Sequence, residues 1–424
     1  MFALVDGNNF YVSCERLFNP SLEGMPVVVL SNNDGCLIAR SDEARELGLE
    51  MGDPYFKAKP LLDRHGVRVF SSNYALYGDV SRRLMELLGT FSDEQEIYSI
   101  DECFLGLRGF GGWDMNRYAA TIRAAALHEV GLPCCVGVAP TKTLAKLANR
   151  LAKKESRRDP SASGVWVLDS DAKRLDALRR TEVAGVWGIG QQYAQKLLAY
   201  GITHACDLAR VRPAWANKHL GGVTGERLVA ELGGVSCLPL ELAPAARQSV
   251  ACTRSFGRVV TGIGELSEAV STYAARASEK LRGDGTLAGV ITVFIESGRS
   301  GKNPFSASVT LTLPAPTADP RMLTRYALEG LKRIFKPSVP YKKAGVVLTG
   351  LAAASVIQTA LFGSGTGNAG HAALTGVVDK LNARYGSGTV VLASEGTQKQ
   401  WHARSTMRSN RYTTRWRELP VAKA

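Results

Sequence analysis

The chain has no run of eighteen or more apolar residues, so no segment is long enough to span a bilayer as a helix. Its N-terminus lacks a basic stretch ahead of the apolar one, and Asp6 ends that apolar stretch early, which argues against a secretory signal. The eight cysteines are scattered, apart from Cys134–Cys135, and none has metal-ligand spacing. Isolated Cys14, Cys36 and Cys252 suit small core residues in a reducing cytoplasm better than a disulfide framework. Acid is in short supply: 39 Asp and Glu face 52 Lys and Arg, a formal charge of +13 and a pI near 9.4. Such an excess predicts a polyanionic partner, nucleic acid first and an acidic membrane surface second.

What is present bounds the architecture. At 424 residues with 45% hydrophobic content, the chain can build two to four domains with real cores. Phe2–Ala3–Leu4–Val5 reads as a short buried strand ending in Asp6. A second apolar run carries the pair Asp101–Glu102, with Ile97–Ile100 and Cys103–Leu105 as β-formers on either side. A lone acid at a strand end is ordinarily a turn or cap residue; an adjacent acidic pair inside Tyr-Ser-Ile-Asp-Glu is less ordinary. Three carboxylates on neighbouring strands repel one another unless a divalent cation neutralises them. Hard oxygen ligands select Mg²⁺, with Mn²⁺ as a substitute, and two such ions suit in-line displacement at phosphorus. Successive strand residues face opposite ways, so Asp101 and Glu102 can share a site only near a hairpin turn or bulge.

Further along, Cys134–Val138 reads as a strand and Thr141 as the cap of a helix running to about Lys153. Leu144, Leu147, Ala148 and Leu151 form its apolar face; Lys142, Lys146, Arg150 and Lys153 form a basic one, either solvated or in contact with phosphate. A polar loop over 155–164 closes this unit. Residues 166–235 read as small and helical. Within them Gly188 and Gly190 make a Gly-x-Gly turn feeding a helix, which can present backbone N–H groups to a phosphate. Leu238–Ala246 reads as a linker. Beyond it the pattern is β-α-β-β-α-β, with Arg254, Arg258, Arg299, Lys302, Lys342 and Lys343 in or beside the strands. The rest is a tail with a Gly/Ser/Asn-rich stretch over 363–370 and basic residues interleaved with Trp401, Tyr412 and Trp416, suited to single-stranded nucleic acid, to an acidic protein surface or simply to solvent.

Two runs, Asp6–Glu15 and Tyr98–Glu102, resemble the two catalytic motifs of Y-family translesion DNA polymerases. Ser31–Cys36, Ser71–Tyr74, Pro140–Asn149 and Arg411–Arg415 are similar to the UmuC-like branch, the catalytic subunit of bacterial DNA polymerase V, so that the resemblance covers essentially the whole chain. It implies an α+β right-hand polymerase: palm at 1–12 and 78–165, fingers at 13–77, a small thumb with a helix-hairpin-helix at 166–237, a β-α-β-β-α-β little finger at 247–350, and a C-terminal partner-binding region at 351–424.

The implied activity is error-prone, template-directed transfer of a deoxynucleotide to a primer 3′-hydroxyl, in translesion synthesis within the SOS response to DNA damage. Asp6 and Asp101 would bridge two Mg²⁺ ions, Glu102 would hold the hydroxyl-side ion, and the Gly7 carbonyl would be a backbone ligand. Tyr11 matches a steric gate beneath the nucleotide sugar; Arg45, on a helix over Asp42–Leu47, and Lys153 match triphosphate-binding residues. Asp42 stands where the family often has a tyrosine, and no phosphate contact is assigned to it. Gly188, Gly190, Arg254 and Arg258 would contact the DNA backbone. Gln358, Leu361 and Phe362 resemble the short peptide with which bacterial polymerases bind the sliding clamp. No second acidic cluster suggests a proofreading exonuclease. Implied partners are primer-template DNA, a dNTP, a processed UmuD-like dimer, RecA nucleoprotein and the clamp, in a bacterial cytoplasm at the nucleoid. A non-catalytic DNA-binding or scaffold subunit of a lesion-bypass complex is the competing reading, which the presence of all three carboxylates disfavours.

Overall fold

The computed structural model describes residues 1–159, 161–243, 245–298, 304–355 and 368–420. The chain divides into two compact units: Met1–Ser31, Gly35–Pro244 and Met407–Ala424 form the first, and Asn32–Asp34 with Ala245–Thr406 the second. The first begins β1 (Phe2–Gly7), α1 (Phe10–Phe18), β2 (Val27–Leu30), β3 (Leu37–Arg40), α2 (Asp42–Glu46), α3 (Tyr55–Arg64), β4 (Arg68–Ser71) and α4 (Tyr74–Leu88). It continues through β5 (Gln95–Ile97), β6 (Glu102–Gly106), α5 (Met115–Ala125), β7 (Cys134–Ala139), α6 (Lys142–Arg158) and β8 (Val165–Val167). Five helices follow: α7 (Asp171–Arg180), α8 (Gln191–Ala199), α9 (Ala205–Leu208), α10 (Pro213–His219) and α11 (Val223–Leu232).

One sheet has the order β5-β6-β1-β7-β8, with β1 antiparallel to both neighbours. Because side chains alternate along a strand, Ala3 and Val5 enter the core shared with α1, α4 and α5, while Phe2 and Leu4 enter the one shared with α6. Both faces of β1 are therefore covered, which is why its sequence is an unbroken apolar run. Helix α6 lies close on its face because Gly137 in β7 has no side chain: a Cβ there would collide with Ala145 O and Asn149 N. Asn149 donates to Leu4 O at 3.2 Å and Cys135 O at 2.7 Å, stapling the helix to two strands. A smaller sheet, β3-β2-β4, packs its apolar residues against α2 and α3.

Two sequence expectations change here. The strand read through Ile97–Leu105 is instead a hairpin: β5 ends at Ile97, Tyr98 N and Ser99 N both donate to Glu102 O at 3.1 Å, and β6 begins at Glu102. Helix α6, capped by Thr141 as expected, runs on to Arg158 and absorbs the first residues of the predicted loop. No proline or glycine interrupts it before that point.

The second unit contains β9 (Val250–Val260), α12 (Ile263–Gly283), β10 (Thr286–Glu296), β11 (Ser306–Thr317), α13 (Pro320–Ile334), β12 (Tyr341–Ala353) and α14 (Asn368–Tyr385). The β-α-β-β-α-β order is as read from the sequence, with strands longer than their apolar centres. The strands pair antiparallel in the order β11-β10-β12-β9, and α12 and α13 bury a single core with Trp401. No helix among the described residues is long and apolar enough to cross a membrane.

Candidate active site

Strand parity decides where the first carboxylate points. Asp6 continues the Phe2–Leu4 set and so faces α6, and the β1–β6 register sets it directly opposite Glu102. Asp101 sits one residue earlier, in the hairpin turn, where its carbonyl accepts from Gly7 N at 2.9 Å. The condition for the acidic pair to share a site, a turn between its members and the strand before it, is met. Asp101 is held by a local bond, its Oδ1 accepting from Ser99 Oγ at 2.6 Å.

Helix α6 supplies the countercharge. Lys153 Nζ lies 2.5 Å from Asp6 Oδ1 and Lys146 Nζ 2.6 Å from Glu102 Oε1. The Asp6 carboxyl is raised to about 6, the balance of burial, which pushes it up, Lys153, which pulls it down, and Glu102 and Asp101, which push it up. Among the described residues no three acidic, histidine or cysteine side chains converge closely enough to hold a metal ion. The carboxylates are hard oxygen donors and their mutual repulsion suits a divalent cation, but here lysine ammonium groups occupy the cationic positions.

Lys142, expected on the same basic face, is instead buried. It lies at the start of the helix and pairs with buried Glu96 at 2.8 and 2.6 Å. Arg157, read as part of a loop, completes the stripe, since it follows Lys153 by four residues and Arg150 by seven. That spacing was legible; only the predicted helix end concealed it. Asp6, Glu102, Lys146, Arg150, Lys153, Arg157 and Arg45 line one cleft of about 630 Å³. A second, of about 350 Å³, is lined by Gly7, Tyr11, Arg40, Arg45, Asp101, Lys153 and Arg157. Arg45, Lys153 and Arg157 belong to both.

Arg45 lies on α2, which Ser41 caps by accepting from Ala44 N. Its buried Nε has no hydrogen-bond partner among the described residues and only a loose ion pair with Asp42 Oδ1 at 3.9 Å, and burial with Arg157 nearby lowers its pKa. A cationic donor without a hydrogen bond beside a cleft suits an anion. Asp42 is occupied, with Arg157 Nε and Asn9 Nδ2 each 3.1 Å from it. Tyr11, half-buried on α1, stacks on Tyr77 at 4.6 Å with an interplanar angle of 18°.

Gly188 and Gly190 are not among the residues that line these clefts. Gly188 adopts φ +90°, which favours glycine, and Gly190 precedes α8. Between them and the cleft, Trp187 packs edge-on to Tyr98 at 5.7 Å with Lys146 over its ring. In the second unit Arg254, exposed on the edge strand β9, pairs in register with buried Ala344. Arg258 is exposed and ion-paired with Glu265. Gln358, Leu361 and Phe362, together with Arg299 and Lys302, lie outside the described residues.

Residues 5–150 match the impB/mucB/samB family, residues 247–361 its C-terminal domain, and residues 372–422 a domain of unknown function, DUF4113. The protein UmuC of Salmonella typhimurium is 44% identical over 99% of both chains. The chain belongs to the impB/mucB/samB family. Another relative, the protein ImpB of Salmonella typhimurium, is 40% identical over the full length of both chains. A DNA polymerase IV of Corynebacterium diphtheriae is 30% identical over 82% of this chain and 74% of its own. The fold is that of Y-family DNA polymerases: a solved chimera of that family superposes with a TM-score of 0.65 at 21% identity, covering 83% of this chain and 100% of the chimera.

Proposed function

We propose that the chain is an error-prone, template-directed DNA polymerase for translesion synthesis, and that its reaction centre is the cleft beneath α6. The observation that carries this reading is the register of β1 and β6, which sets Asp6 opposite Glu102 with Asp101 at the adjoining turn. In this reading 1–12 and 78–165 are the palm, 13–77 the fingers, 166–237 the thumb and 247–350 the little finger.

Asp6 and Asp101 would hold two Mg²⁺ ions, or Mn²⁺, with Glu102 and the Gly7 carbonyl completing the oxygen donors. When bound, the ions would lower the pKa of the primer 3′-hydroxyl and neutralise charge on the triphosphate. That hydroxyl loses its proton to water, its oxygen bonds to the α-phosphorus, and the bond to pyrophosphate breaks. On binding dNTP, Lys153 would leave Asp6 for the phosphates, a short reorientation because it lines both clefts. Arg45 would donate from its Nε, which makes no hydrogen bond among the described residues, to the same group, fixing the triphosphate in line. Extension of a labelled primer on damaged and undamaged templates, with Mg²⁺ and a processed UmuD-like dimer supplied, tests the reading. A chain that binds primer-template but never extends it is the scaffold instead.

Tyr11 would lie beneath the nucleotide sugar, leaving no room for a 2′-hydroxyl. Tyr11→Ala is expected to retain dNTP incorporation and to raise ribonucleotide use by roughly ten- to a hundredfold, the range a missing steric contact commands. Competition between dNTP and rNTP at one template position measures it, and unchanged sugar preference removes the assignment. Gly188, Gly190, Arg254 and Arg258 would meet the DNA backbone. RecA nucleoprotein and the sliding clamp would be partners in an SOS response at the nucleoid. Replacing Gln358, Leu361 and Phe362 with Ala is expected to abolish capture on immobilised clamp; retained capture places the contact elsewhere.

A further inference from the structure

Two sequence segments with no part in the reaction above, Ser71–Tyr74 and the tail around Arg411–Arg415, meet in the first unit. Met407 and Ser71 bond twice, Ser71 N to Met407 O and Met407 N to Ser71 Oγ, both at 3.0 Å. Asn73 Nδ2 donates to Ser409 O at 3.1 Å, Ser409 Oγ at 2.9 Å and Asn410 O at 3.0 Å. Tyr412 stacks on Phe18 at 4.8 Å and 12°, and Glu418 closes the segment by accepting from Arg411 N at 2.6 Å. Ser71 and Asn73 are each 1% exposed, so the tail supplies bonds these buried groups cannot get from water.

One contact leads inward. Glu15, 2% exposed on α1, accepts from both Ser409 Oγ at 3.0 Å and Tyr77 Oη at 2.6 Å through the same oxygen. Burial pushes its carboxyl up, and those two donors oppose that shift. Glu15 lies four residues after Tyr11, on the same helix face, and the fully buried Tyr77 ring bridges them by stacking on Tyr11. The order is Ser409, Glu15, Tyr77, Tyr11, and Tyr11 lines the cleft with Asp101 and Arg45.

We propose that Met407–Glu418 is a strap whose Ser409 positions the sugar gate through Glu15 and Tyr77, so that part of the domain of unknown function governs nucleotide-sugar selectivity. This rests on Tyr11 lying beneath the sugar. Ser409 is a positioning residue: it touches no substrate. A strap that only stabilised the unit would slow dNTP and rNTP incorporation alike. One that holds Tyr77, and with it Tyr11, acts on the ratio between them.

The test compares the full chain with Ser409→Ala and Ser409→Thr, each also in a Tyr11→Ala background, in single-nucleotide primer extension with the UmuD-like dimer present. Ser409→Ala is expected to lower the dNTP:rNTP efficiency ratio roughly three- to tenfold, the worth of one hydrogen bond to a buried carboxylate. Ser409→Thr, which keeps the hydroxyl, restores the ratio, and in the Tyr11→Ala background Ser409→Ala changes it no further. Tyr412→Ala, loosening the strap elsewhere, shifts the ratio the same way. Equal loss for both nucleotides, or the same shift with Tyr11 already removed, overturns the strap. If Tyr11→Ala moves the ratio and neither strap variant does, the gate stands and the strap falls. If Tyr11→Ala moves nothing, the gate falls first, and the relay with it.

Discussion

Asp101→Ala is expected to lower primer extension by about a thousandfold or more, the scale on which loss of a charge-stabilising group at a phosphoryl-transfer centre is felt. The substitution is a clean one. Asp101 sits in the β5–β6 turn, and the bond that joins this turn to β1 is made by its backbone, Gly7 N to Asp101 O at 2.9 Å. Alanine keeps that bond and loses only the carboxylate with its contact to Ser99 Oγ at 2.6 Å. Stability should therefore move by no more than about 0.5–1 kcal/mol, as for one partly exposed hydrogen bond. Binding of primer-template should be retained, because the basic residues of α6 are untouched. Extension rate, duplex affinity and denaturation midpoint measured on one preparation separate these effects. Equal extension by parent and variant would remove Asp101 from the reaction centre.

The largest effect on stability is expected at Glu96. Its carboxylate is 6% exposed, accepts twice from Lys142 Nζ and once from Glu241 N at 2.8 Å, and thereby ties the start of α6 to β5 and to the segment after α11. Lys142, 4% exposed, has in addition the Phe104 ring at 4.8 Å and Pro239 O at 3.4 Å. Glu96→Ala strands an ammonium group in a buried site, at a cost of about 3–5 kcal/mol. Replacing both partners, as Glu96→Leu with Lys142→Met, removes the stranded charge and should recover most of that loss. Urea denaturation of the three proteins reads the difference; a double replacement as unstable as the single one would show that the ion pair is not the cause.

Much of this arrangement was legible in the residues. The apolar run before Asp6, the Thr141 cap and the β-α-β-β-α-β alternation are local signals, and each element formed where its pattern stood. The errors came where local signals compete. Tyr98-Ser99-Ile100 has β-forming character, yet Ser99 bonds to the backbone of Asp101 and Glu102 and stabilises a turn. Lys142 has the spacing of a solvated basic face, but buried Glu96, far off in sequence, draws it inward.

By itself the sequence determined which segments become helices and strands, the family to which the chain belongs and the residue types available for chemistry, because those depend on neighbours a few positions apart. Tertiary structure alone decided that Asp6 stands across from Glu102, that lysines of α6 reach both, and that a serine near the end of the chain touches a glutamate near its start. Those outcomes depend on strand register and on the closure of long loops. Their free energy is gained only when distant surfaces pack, and no short window of sequence contains it.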